Sequence, residues 1–254
     1  MPGPADAGAD RLPSQTVKAQ LALRDFLLEG RLGAGERVSE LQMVEQLGVS
    51  RTPVRSALAR LAEEGLLEAI PTGGYAVRSF SEAEVFAAIE IRGTLEGLAA
   101  RFLAERAVST SQLDTLTRCL DALDEVVRRD RQSIDDVPRY VELNARFHAY
   151  LVEFAGSLTL ARQLERVVVL PFASSSALVR MQSSSPEAHL ALTVAQDQHR
   201  CVVEAIERRE GARAEAIMRE HARLARRNLE RAFGNQRMLE LVPGSALIRR
   251  RERA

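Results

Sequence analysis

The stretch between Leu47 and Arg78 constrains the fold of this 254-residue chain more than any other. Gly48 interrupts a short helical run that Ser39 is placed to cap, since glycine takes a positive φ at little cost. Ser50 stands as N-cap of the next helix, with Pro53 in its first turn, where a missing N–H does no harm. Val54, Leu58 and Leu61 recur at helical spacing and line its buried face, and Gly65 stops it. Leu66–Ile70 and Tyr75–Arg78 then flank Pro71-Thr72-Gly73-Gly74, which reads as a β-hairpin. Upstream, Val17, Leu21 and Leu28 fall on one line of a first helix from about Gln15 to Gly30, and residues 31–36 read as a turn around Gly33 and Gly35. The order helix, helix–turn–helix, hairpin predicts a winged helix over residues 15–79.

Beyond Phe80 the texture changes. Ser81 and Glu84 form a capping box for a long helix to about Ala107. Helical patterning then continues to Phe233, with breaks expected near 108–111, 130–137, 155–157, 183–186 and 210–212. The predicted fold is mainly α: an N-terminal winged helix–turn–helix followed by a six- to seven-helix antiparallel bundle over residues 80–234. Residues 1–14 are aperiodic and rich in Gly, Pro and Ala, as in a disordered arm. Residues 235–254 read as a solvated tail with a basic end. Aromatics are 4% of the chain and Trp is absent, which disfavours an aromatic-rich β-sandwich. Formal net charge is zero, so DNA binding would need a local patch. The longest apolar run, Val167 to Leu170, is too short to span a bilayer, and residues 1–10 lack a signal-peptide pattern. Cys119 and Cys201 have no metal or redox spacing. A soluble cytoplasmic protein with reduced thiols and no membrane partner is expected.

Two constellations carry chemistry. With Val54, Leu58 and Leu61 inward, the third helix turns Thr52, Arg55, Ser56 and Ala59 outward, with Arg51 at the flank. Small residues let a helix approach base edges, and Arg bonds guanine bidentately. The Ser50 and Thr52 hydroxyls, with the free N–H groups of the helix start, suit phosphate oxygens. Arg60 lies off this exposed face, as a phosphate contact or a solvated side chain. The Gly73–Gly74 turn allows close backbone approach to an adjacent minor groove. An ordinary solvated helix remains the alternative.

The second constellation is polar residues on apolar stripes. Asn144 and His148 share a face with Val141 and Leu151. His199 falls on the stripe Ala195/Val202/Ile206, and His221 on Ala214/Ile217/Leu224. His199 lies 12 residues before Gly211 and His221 10 after it. In an antiparallel helical hairpin both imidazoles therefore reach about 15–18 Å from the turn, at ~1.5 Å per residue. Converging imidazoles plus a side-chain oxygen can hold a first-row metal; separate hydrogen-bonded core residues are the alternative. His189 sits off this face. Arg92 lies within the apolar arc of Val85, Ile89, Leu95 and Ala99 and needs an anionic partner, either Glu96 one turn on or a ligand carboxylate.

The runs Gly30-Arg31-Leu32-Gly33-Ala34-Gly35-Glu36-Arg37-Val38, Leu47-Gly48-Val49-Ser50-Arg51-Thr52-Pro53-Val54-Arg55-Ser56-Ala57-Leu58 and Leu61-Ala62-Glu63-Glu64-Gly65-Leu66-Leu67 resemble the winged helix of the GntR family of bacterial transcription regulators. The resemblance implies that Arg51, Thr52 and Arg55 contact bases or phosphates and that Gly73–Gly74 is the wing tip. Leu41 stands where some relatives carry an Arg, so no base contact is expected from the second helix. Asn144-Ala145-Arg146-Phe147-His148, His199 with Val202–Ile206, and Met218-Arg219-Glu220-His221 resemble the C-terminal all-helical effector domain (FCD) of the FadR-type subfamily. That resemblance implies a divalent metal (Zn, Ni or Mn) at Asn144, His148, His199 and His221, with Arg92 receiving a small organic acid. Asn144 stands where Asp is commoner, which weakens the expected affinity. The expected function is a ligand-responsive DNA-binding regulator, with repression relieved by ligand. It would bind a palindromic double-stranded operator as a homodimer formed through the effector domain, the winged helices or both. The alternatives are a metal-free sensor of acyl-CoA or another anion on the same fold, and a helical-bundle metalloenzyme. The last lacks a clearly placed general base, so no enzyme is expected.

Overall fold

The computed structural model describes residues 15–128, 136–170, 172–176 and 186–249. The chain divides into two compact units, residues 1–79 and 80–254. The arm expected over 1–14 and the cap expected at Ser183–Ser185 lie outside the described residues.

In the first unit α1 spans Gln15–Leu28, β1 Arg37–Val38, α2 Glu40–Leu47, α3 Arg51–Glu63, β2 Leu67–Ala69 and β3 Tyr75–Val77. Ser39 caps α2 by accepting from the Gln42 N–H, and Gly48 closes it at φ 62°. Val54, Leu58 and Leu61 are buried as patterned, joined by Ala57. Three expectations are corrected. The buried line of α1 is Ala19, Leu23 and Leu27, while Leu21 is half exposed; the apolar stripe is displaced because small Ala19 faces the interior. Ser50 occupies the N-cap position of α3 with extended backbone, but its hydroxyl makes no capping hydrogen bond. The chain just past the predicted turn is a strand: β1 pairs antiparallel with β3, giving a sheet ordered β1-β3-β2.

The second unit opens with β4, Phe80–Ser81, and continues with α4 Glu82–Glu105, α5 Thr110–Val127, α6 Asp136–Phe154, α7 Leu158–Val168, α8 Pro186–Glu207, α9 Gly211–Phe233 and α10 Gln236–Glu240. Capping boxes start α4 (Ser81, Glu84) and α5 (Ser109, Gln112). The core is aliphatic, built on Leu103, Leu116, Leu120, Leu123, Val202 and Ile206 around Phe147. The long α4 lies along α9, and the crossing depends on glycine. A Cβ at Gly93 would sit 2.3 Å from the Ala222 Cβ, and one at Gly97 would sit 3.0 Å from the Glu215 carbonyl oxygen. The solvated-tail expectation is corrected for residues 236–249, while the basic end expected beyond Arg249 lies outside the described residues. Residues 236–249 fold onto the unit with Leu239, Val242 and Leu247 buried, and β5 (Ile248–Arg249) pairs in parallel with β4. Leu239, Val242, Leu247 and Ile248 together give the segment enough apolar burial to be held in place.

Candidate regulatory site

The first unit presents one coherent polar face. At the start of α3, Arg51, Thr52 and Arg55 are exposed and Ser56 is half-buried. Thr72, Gly73 and Gly74 form the exposed tip of the β2–β3 hairpin, with φ of 86° and 90° at the two glycines. The Arg37 guanidinium donates to the Gly73 carbonyl at 2.9 Å and steadies that tip. Between tip and helix runs a groove lined by Arg37, Ser39, Glu40, Leu41, Arg55 and Tyr75 among others. Arg60 is exposed but turned back, its guanidinium 3.3 Å from the Gln20 side-chain oxygen. Residues 51–62 of α3 contain no acid, yet the groove does: Glu40 of α2 accepts from Arg55 Nε at 2.7 Å. Sequence reasoning missed Glu40, because nothing in its local pattern says that α2 leans its first turn toward Arg55.

The second unit holds a buried polar cluster. The α8–α9 hairpin brings His199 Nε2 to 3.2 Å from His221 Nε2. His148, from α6, lies with its ring centroid 5.4 Å from each of the other two. Ligand atoms of all three fall within 4.8 Å of one another. Asn144, one turn before His148, is buried as well, and its amide nitrogen donates to Ser175 O at 3.2 Å and Ser176 Oγ at 3.1 Å. Arg92 is paired with Glu96 (3.2 Å), and both are 1–2% exposed. The other carboxylate oxygen of Glu96 lies 3.0 Å from His148 Nδ1, without hydrogen-bond alignment. Glu96 thus stands between Arg92 and the histidines, a site position the sequence reading treated only as a neutralising partner.

Electrostatics fix the charge states. Burial favours protonating Glu96, but Arg92, followed by His148, outweighs it and holds the carboxyl at about 2. Burial, followed by the nearby His148, takes His199 well below the usual imidazole range. Burial and then His199 do the same to His221. Both imidazoles are therefore neutral, the form that ligates metals. A tetrahedral zinc with Zn–N of 2.0–2.1 Å separates its nitrogen ligands by about 3.3 Å, close to the 3.2 Å between His199 Nε2 and His221 Nε2. His148 Nε2 and His221 Nδ1 are buried with no hydrogen-bond partner. Three buried imidazoles with ligand atoms this close, and nitrogens left without partners, fit a metal ion, which would supply a positive charge and an open coordination position for a ligand oxygen.

A profile described as "Bacterial regulatory proteins, gntR family" matches residues 13–77, and one described as "FCD domain" matches residues 87–224. The chain belongs to the GntR family of bacterial transcription regulators. It is 30% identical over 225 residues to a "Probable D-xylose utilization operon transcriptional repressor" of Paenarthrobacter nicotinovorans, covering 85% of this chain and 90% of the relative. It is 29% identical over 215 residues to the "HTH-type transcriptional repressor RspR" of Escherichia coli K12, covering 82% and 87%. The solved structure "E. coli McbR/YncC" superposes with a TM-score of 0.61 at 20% identity, covering 89% of this chain and all of that one, a likeness of fold. This GntR regulator is therefore a DNA-binding transcription factor with a helical effector domain, and the metalloenzyme alternative is set aside. No helix among the described residues is long and apolar enough to cross a membrane.

Proposed function

We propose that this GntR protein is a cytoplasmic repressor that leaves its operator when a small organic acid enters the helical domain. The observation that carries the reading is the convergence of His148, His199 and His221 beside the buried Arg92. The three imidazoles, with Asn144 as an oxygen donor, would hold a divalent ion (Zn, Ni or Mn). Arg92 would take the effector carboxylate in place of its present partner Glu96, and the ion would add positive charge beside it. The neutral amide of Asn144 contributes less attraction than a carboxylate would, so the ion binds more loosely than at an all-charged site.

On the DNA side, Arg51, Thr52, Arg55 and Ser56 read the major groove, Ser50 and Arg60 contact phosphates, and Gly73 and Gly74 approach the minor groove. A homodimer places two such helices about 34 Å apart on a palindrome. Effector binding must favour one arrangement of the dimer over the other to change affinity.

Mobility shift on the DNA upstream of its own gene, with zinc present, tests both halves. Wild type is expected to give a specific complex that Arg51→Ala with Arg55→Ala abolishes. A panel of di- and tricarboxylic acids is expected to include one that releases wild type but not Arg92→Ala. Specific binding unchanged in the double variant, or release that ignores Arg92, would overturn the assignment.

A further inference from the structure

The histidine cluster is wired to the surface through a residue with no role in the reading above. Gln196, buried on α8 one turn before His199, donates through its side-chain nitrogen to Leu120 O at 3.0 Å and to Asp124 Oδ1 at 2.8 Å. Both partners belong to α5, and both accept only. Leu120 O is a backbone carbonyl. Asp124 accepts from Arg200 at 2.6 Å to Oδ2, and the same guanidinium nitrogen reaches Asp121 at 2.6 Å. Turning the Gln196 amide over would set its oxygen against two acceptor oxygens, with a repulsive contact in place of each hydrogen bond. The amide is therefore locked with Oε1 toward His199 Nδ1, 3.1 Å away.

This lock dictates where the protons sit. An amide oxygen can only accept, so His199 Nδ1 carries the hydrogen. Neutral His199 then has its lone pair on Nε2, aimed at His221. We infer that Gln196 is a positioning residue: it fixes His199 as an Nε2 ligand, and the Arg200–Asp124 pair fixes Gln196. The polarity runs one way, from acceptors on α5 through Gln196 and His199 to His221, whose Nε2–H completes the chain before a metal arrives. The inference rests on the metal reading of the three histidines for its consequence, though not for its geometry. An outer partner that sets the tautomer of a metal-ligating histidine is typically worth about 10–100-fold in metal affinity.

The test uses full-length protein labelled with nitrogen-15 histidine and stripped of metal by a chelator. Long-range proton–nitrogen correlation spectra report the tautomer, and competition with a chromogenic chelator reports zinc affinity. Wild-type His199 is expected to be protonated at Nδ1 and bare at Nε2. Gln196→Met is expected to lose that preference and to weaken zinc about 10–100-fold. Gln196→Glu, whose protonated carboxyl can donate to Asp124 and accept from His199, is expected to recover most of the affinity. A merely structural role for Gln196 moves neither the tautomer nor the rescue. Wild-type His199 protonated at Nε2 overturns the proposal, and that measurement needs no variant to fold. Zinc affinity within twofold of wild type in folded Gln196→Met overturns it too. A wild type that takes up no zinc, nickel or manganese while His199 keeps the Nδ1–H tautomer overturns the metal reading and, with it, the ligand half of the inference alone.

Discussion

Replacing Gly93 by alanine separates helix propensity from helix packing. On propensity alone the change stabilises α4 by about 1 kcal/mol. The new methyl, however, would lie 2.3 Å from the Ala222 Cβ, with the Ala222 Cα and the Arg219 carbonyl oxygen each at 3.8 Å. Carbon pairs rest at about 3.5–4.0 Å, so α4 and α9 must separate by roughly 1.2–1.7 Å. The obstacle is a Cβ fixed to backbone, which no rotamer change can move. Overpacking of this kind costs about 1–3 kcal/mol, and the rigid obstacle puts this case near the upper end. After the propensity gain, a net loss of about 1–2 kcal/mol is expected, a fall in Tm of about 2–8 °C for a chain of this size. The displacement also bears on the site. Arg92 and Glu96 flank Gly93 on α4, while His221 precedes Ala222 on α9. Binding constellations tolerate about 0.5 Å of error, so zinc affinity is expected to fall at least about tenfold. Thermal unfolding by circular dichroism and chelator competition measure the two effects. Ala222→Gly in the same chain removes the opposing methyl and is expected to recover most of the zinc affinity, which a double-mutant cycle would register as coupling. A Gly93→Ala protein as stable as wild type or more so, with zinc affinity unchanged, would refute the close-crossing argument.

Glu96→Gln strips the buried Arg92 of its counter-charge and is expected to cost about 3–5 kcal/mol in urea unfolding. Because the Glu96 carboxyl is held at about 2 rather than its ordinary 4.5, its contribution is complete above pH 4.5 and is lost as pH falls toward 2. Glu96→Gln should therefore flatten that acid limb, and an unchanged limb would deny the pairing. Leu247→Ala, in the segment after α9, is expected to destabilise the helical unit by about 2–5 kcal/mol, whereas a solvated tail would register almost nothing. Glu40→Gln releases Arg55 and removes an acid from the groove. Mobility shifts are expected to show tighter non-specific binding with a smaller preference for the operator, and an unchanged preference would deny Glu40 a part in orienting Arg55.

Where local chemistry decides structure, the sequence was enough to read it. Gly48, Pro53 and the Pro71–Gly74 turn mark the winged helix because each tolerates few alternatives, and the box at Ser81 marks a helix start. The meeting of His199 and His221 followed from counting residues either side of the α8–α9 turn. What escaped is set by tertiary partners. Strands β1, β4 and β5 are two residues each, too short to carry an alternation, and β4 meets a partner almost the whole helical unit away in sequence. Leu21 matched a helical stripe as well as Leu23 does, and only packing separates them. Glu40 and Gln196 look like ordinary helix-surface residues until neighbouring helices supply Arg55 and Asp124, and Glu96, legible as a partner for Arg92, gives no sign of its approach to His148.

The central claim, that the buried histidines form a metal-dependent sensor, is tested most directly by elemental analysis of protein purified without a metal-affinity tag, wild type beside His148→Ala and His199→Ala. About one zinc, nickel or manganese per wild-type chain is expected, with a loss in both variants. A wild type that stays empty after incubation with all three ions would contradict it and leave Arg92 with neutral imidazoles as a metal-free anion pocket.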